Sequence, residues 1–75
     1  MFTSPVLIRA ARAALGLSQG ELAREAGLTY RTVGRLETGG SSTLETLRAC
    51  QTALEARGVE FFEAAGRRGF SIPSR

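Results

Sequence analysis

SQGELAREAGLTYRTVGRLETG, residues 18–39, holds two short helical patterns separated by a glycine, and the fold of the chain follows from it. Ser18 with Glu21 three residues later is a capping box, in which each side chain satisfies an orphan backbone donor, so a helix begins near Gln19. Leu22, Ala23 and Ala26 give that helix a narrow apolar stripe, and Gly27 stands where the chain must leave through a left-handed conformation. Leu28 is an apolar plug after the turn, Thr29 caps a second helix, and Val33 with Leu36 form the pair that buries its inner face. The predicted helices run from 19 to 26 and from 30 to 37. Ala23 matters for its smallness, because two short helices crossing steeply need a residue without bulk at the crossing.

The flanks extend the helical pattern. Ser4 and Pro5 are a cap with proline at the first helical position, and Ile8, Ala11 and Leu15 share one face before Gly16 stops the helix. Gly39, Gly40, Ser41 and Ser42 read as a loop. A fourth helix starts at Ser42 or Thr43, carries Leu44, Leu47, Cys50 and Leu54 inward, and ends before Gly58.

The tail has a different character. VEFFE, residues 59–63, is rich in β-branched and aromatic residues; AAGRR, 64–68, is a turn-like gap; GFSI, 69–72, is a second extended run closed by Pro73. This predicts a β-hairpin, with Val59 and Phe61 on one face, Phe62 on the other, and Phe70 sharing a face with Ile72. The competing reading is a fifth short helix over VEFFEAAGRR. The fold class is therefore mainly α: a four-helix domain over 1–58 followed by a short C-terminal β-hairpin extension over 59–75.

Composition excludes several functions. The chain has 75 residues, a formal charge of +3, ten arginines and no lysine, histidine or aspartate. Acid-base or nucleophilic chemistry would rest on glutamates without a partner base, so the sequence does not read as an enzyme. One cysteine, Cys50, makes no internal disulfide and holds no metal alone; its spacing from Leu47 and Leu54 places it in the core rather than as a redox sensor. No cofactor, metal or small-molecule ligand is expected. No stretch is long and apolar enough to span a bilayer, and the first residues lack a secretory pattern, so the expected location is cytoplasmic. Arginine forks suit phosphate and guanine edges, and Arg24, Arg31 and Arg35 lie in the two motif helices.

The run from Ile8 to Leu54 resembles the lambda-repressor-like (Xre/Cro) family of helix-turn-helix regulators. Arg12, Leu15 to Gln19, Leu22-Ala23, Ala26-Gly27, Thr29, Val33, Leu36-Glu37 and Gly39 carry the resemblance. It implies that the second motif helix lies in the major groove of double-stranded DNA while the first crosses the backbone. The expected base-reading residues are Tyr30, Arg31, Thr32 and Arg35, with Arg31 first in line for a bidentate guanine contact. Gln19 is where the family places a side chain that contacts phosphate and braces the recognition helix. Thr29, Thr38 and Ser41 are candidate phosphate contacts, with turn and capping roles as the alternative. The resemblance also implies a structural ion pair between Glu37 and Arg12. Gly34, inside the recognition helix, costs about 1 kcal/mol there and calls for a compensating close approach of DNA or another helix.

The expected function is a sequence-specific transcriptional regulator, a repressor, reading a palindromic operator as a homodimer. The hairpin supplies the predicted dimer interface through Phe61, Phe62, Phe70 and Ile72, since aromatics on both strand faces are hard to bury in one small monomer. Such a plan suits a phage or mobile-element repressor or the DNA-binding antitoxin of a toxin pair. The alternatives are a protein-interaction module on the same fold, such as an anti-activator or antitoxin binding a protein partner, and a nonspecific architectural DNA binder.

Overall fold

Ser4, Ser18, Thr29 and Thr43 each accept a hydrogen bond from a backbone N–H three residues on, at 3.3, 3.0, 3.2 and 3.1 Å. Each begins a helix: α1 (Pro5–Ala14), α2 (Gln19–Ala26), α3 (Tyr30–Glu37) and α4 (Leu44–Glu55). The computed structural model describes residues 3–40 and 42–73. At Ser18 the capping box is complete, because the Ser18 N–H also donates to the Glu21 carboxylate at 2.8 Å. A cap of this kind stabilises a helix by about 1 kcal/mol, which matters for helices of two turns.

The helices also end alike. Gly27 adopts φ +73°, a left-handed conformation, and lets the Leu28 N–H reach the Ala23 carbonyl at 2.8 Å. The same long bond closes α1 from Leu17 to Arg12, α3 from Gly40 to Arg35 and α4 from Val59 to Leu54. These Schellman closures satisfy carbonyls that a helix end would otherwise orphan. They also turn the chain sharply enough to pack four short helices around one core.

That core is built from Ile8, Leu22, Val33, Leu36, Cys50 and Leu54, all fully buried. Ala23 is buried as well, in α2, which packs against both α3 and α4. Leu44 corrects the expected inward face of α4, being 53 % exposed. It is the first residue after the Thr43 cap, and side chains on a helix lean toward its N-terminus, so Leu44 projects off the end instead of onto the core. Cys50 sits inside, where burial first and the Glu37 charge second push its thiol up to about 11.

Beyond α4 the chain forms an antiparallel hairpin, β1 (Glu60–Ala64) with β2 (Arg67–Ser71), and the fifth helix does not form. The turn is tighter than the expected five-residue gap: Ala64 pairs with Arg67, leaving only Ala65 and Gly66 in the loop. Both have positive φ, +53° and +75°, the conformation of a two-residue turn whose twist matches that of the strands. Pairing therefore extends into Arg67 and Arg68. Phe61 lies opposite Phe70, with ring centroids 6.3 Å apart, and both pack on the helical core beside buried Val59. The hairpin thus shares the core of the helices, lying against α1 through β2.

Candidate functional site

Val33 and Leu36 fix which side of α3 faces inward; Arg31 and Arg35 lie on the opposite side, and Tyr30, three residues before Val33, stands exposed at the first turn. These three are exposed, Tyr30 at 66 %, while Thr32 is half-buried. Among the described residues neither Arg31 nor Arg35 makes an ion pair. Tyr30 leans toward the start of α2, its ring lying within van der Waals distance of the Cβ position of Gly20.

The acidic end of α3 is turned away from that face. Arg12 donates from Nε to Glu37 Oε2 at 2.6 Å and from Nη2 to Oε1 at 2.9 Å. Its Nη1 donates to the Leu17 carbonyl at 2.7 Å. Gln19 Nε2 donates to Glu37 Oε1 at 3.0 Å. One carboxylate therefore joins α1, the start of α2 and the end of α3, with its side chain 1 % exposed. Burial pushes the Glu37 carboxyl up, but hydrogen bonds from Arg12 and Gln19, with the charges of Arg12 and Arg9, outweigh it and hold it below the ordinary carboxylate value. The Glu37 hydrogen bond raises Arg12 in turn, against the opposing effect of burial.

The same arrangement locates the phosphate candidates. Gln19 is the first residue of α2, where free backbone amides point outward, and with one Nε2 hydrogen on Glu37 the other remains to donate. Thr29 Oγ1 accepts from the Thr32 N–H and lies 2.9 Å from Thr32 Oγ1, so its hydroxyl serves the cap of α3. Thr38 Oγ1 donates to the Gly34 carbonyl at 3.0 Å, spending its hydrogen on the helix end. Ser41 lies outside the described residues. Gly34 faces Gln19, whose Oε1 would sit 3.9 Å from a Cβ built there, so a methyl group fits without displacing anything in the domain.

Phe61 and Phe70 are half-buried against their own core, whereas Phe62 and Ile72 are 48 % and 45 % exposed. Two contacts join residues far apart in the chain, and of these the resemblance implies only that Gln19 braces the recognition helix. Gln19 and Glu37 meet across 18 positions of chain. Arg57 grips Glu25 with Nε on Oε1 at 2.7 Å and Nη2 on Oε2, joining the ends of α4 and α2. The hydrogen bond from Arg57 holds the Glu25 carboxyl below its usual range. Among the described residues no cluster of acidic or cysteine side chains could hold a metal, and no helix is long and apolar enough to cross a membrane.

Two capped helices, a glycine turn and an arginine-bearing outer face also describe a known family. The family model for Helix-turn-helix proteins, the Xre/lambda-repressor-like type, matches residues 8–61, well over half of the chain. That span runs from Ile8 within α1 through α2, α3 and α4 to the first residues of β1. No curated protein matches the chain.

Proposed function

The chain belongs to this helix-turn-helix family of DNA-binding transcription regulators, and from that membership we propose a repressor that reads a palindromic operator as a homodimer. In this reading α3 enters the major groove, Arg31 and Arg35 meet base edges, and Tyr30 and Thr32 flank them. Gln19, with the amides at the start of α2, holds a phosphate; Thr29, Thr38 and Ser41 are secondary candidates whose hydroxyls serve the helix ends where the structure describes them. Residues 1–58 carry the DNA-reading unit, and 59–75 join two copies.

The observation that carries this reading is the division of charge on α3. Among the described residues its two arginines stand exposed without acidic partners, and its only acid is folded inward into the Arg12 fork. A helix arranged in this way presents net positive charge to a polyanion. The domain measures 32 × 28 × 17 Å, so two side by side are commensurate with half-sites one helical turn, about 34 Å, apart. Repression requires only that promoter DNA be occupied, which binding itself achieves.

Duplex binding across a salt series tests the reading. A regulator keeps a large preference for its operator over random duplex at every salt concentration. A steep salt dependence without any sequence preference would identify an architectural binder instead, and no duplex binding would leave a protein-interaction module.

A further inference from the structure

The hairpin has two faces, and the fold uses one of them. Strand register places Phe61 with Phe70 and Glu63 with Arg68 on the inner face. There Phe61 and Phe70 pack on the core, and Glu63 and Arg68 approach to 3.8 Å. The outer face carries Glu60 opposite Ser71, Phe62 opposite Gly69, and Ala64 opposite Arg67. Phe62 lies across Gly69 so closely that a Cβ there would meet ring atom Cζ at 2.9 Å. Phe62 is nevertheless 48 % exposed, and Ala64, Gly69 and Ser71 beside it on this face are small. The result is a low, flat strip, a shape that another flat face can cover.

Charge indicates what covers it. Glu60 stands at one end of the strip and Arg67 at the other, about 13 Å apart along the strands, and among the described residues neither makes an ion pair. We propose that this outer face packs against the same face of a second copy, Phe62 against Phe62, with Glu60 of each chain facing Arg67 of the other. A two-fold axis lying in the contact plane and perpendicular to the strands reverses their direction and produces both ion pairs at once. An axis along the strands sets Glu60 against Glu60, so the charges select one arrangement. A foreign partner would need the reversed charge order, which this chain already offers to its own copy.

The inference rests on the homodimer reading and specifies its contact. Sedimentation equilibrium of the full chain over a concentration series tests it, with Glu60→Arg, Arg67→Glu, the double reversal and Phe62→Ser. Each single reversal should raise the dimer dissociation constant about tenfold or more, because like charges then meet twice across the axis. The double reversal should restore it to near the original value. Phe62→Ser should be monomeric while melting close to the unaltered protein, and if it unfolds the reversal pair still decides. A chain monomeric at every concentration overturns the proposal, as does association indifferent to the reversals, which would indicate edge-to-edge strand pairing. Arg31-dependent binding to a single half-site distinguishes the failures: if it persists without a dimer, only the contact is wrong, and if it is absent, so is the operator reading.

Discussion

Arg12 and Glu37, 25 residues apart in the chain, close on each other through two hydrogen bonds of 2.6 and 2.9 Å, and the carboxylate they share with Gln19 is almost wholly enclosed. Breaking such a pair from one side strands a charge in the interior, at a cost of about 3 to 5 kcal/mol. Glu37→Ala should therefore unfold the domain or lower its melting temperature by more than about 10 °C, since 1 kcal/mol shifts a domain of this size by roughly 4 to 8 °C. Calorimetry or circular dichroism reads it. An unchanged melting temperature would remove the structural role assigned to the pair.

Acid should act through the same carboxylate. The Glu37 carboxyl is held below its ordinary value in the folded protein, so the unfolded chain takes up the proton first. Its contribution to stability is complete above the ordinary carboxylate range and drains away as pH falls through the folded value. Denaturant melts from neutral to acidic pH should show stability declining with acid, and Glu37→Gln should decline less steeply. Equal slopes would show that other groups govern acid unfolding.

Gly34 is the one residue of α3 that propensity argues against. A methyl group there meets only the Gln19 side chain, at an ordinary contact distance. Gly34→Ala should consequently raise stability by about 0.5 to 1 kcal/mol through loss of backbone freedom in the unfolded chain. The melting temperature measures this directly, and duplex affinity measured alongside it shows whether the bare backbone serves DNA. A lower melting temperature would mean that the crossing is tighter than described.

The two kinds of DNA contact separate by their signatures. Gln19→Ala should weaken binding evenly across sequences and leave the salt slope unchanged, the mark of a lost neutral phosphate contact that releases no counterion. Arg35→Ala should relax preference at one base position and leave stability unchanged, because its side chain is exposed. An altered base preference in the Gln19 variant, or an even loss in the Arg35 variant, would exchange their roles.

Cys50 offers a check on the core. Buried, with its thiol pushed up to about 11, it should resist thiol reagents until the domain unfolds. Labelling at the rate of global unfolding supports this placement. Rapid labelling of the native protein would contradict it.

Helix bounds are legible in this chain because both ends of each helix are written locally. A hydroxyl residue bonds three positions on and a glycine sits just past the last turn, as at Thr29 and Gly27, and no distant residue is needed to interpret either. The two-residue hairpin turn was less legible, because Ala65 adopts positive φ despite its side chain and only strand pairing compels it to. Leu44 shows a similar limit: periodicity assigns it to a face but carries no information about where neighbouring helices stop. The site divides in the same way. Exposure of Arg31 and Arg35 follows from the spacing of Val33 and Leu36, whereas the bond from Gln19 to Glu37 exists only once α2 and α3 have crossed.

The most direct measurement is selection of bound fragments from random duplexes at moderate salt, repeated with Arg31→Ala. The expected outcome is an enriched two-fold symmetric site, half-sites about one helical turn apart, that loses one base preference per half-site in the variant. No enriched sequence, or an enriched site that Arg31→Ala leaves unchanged, would contradict it.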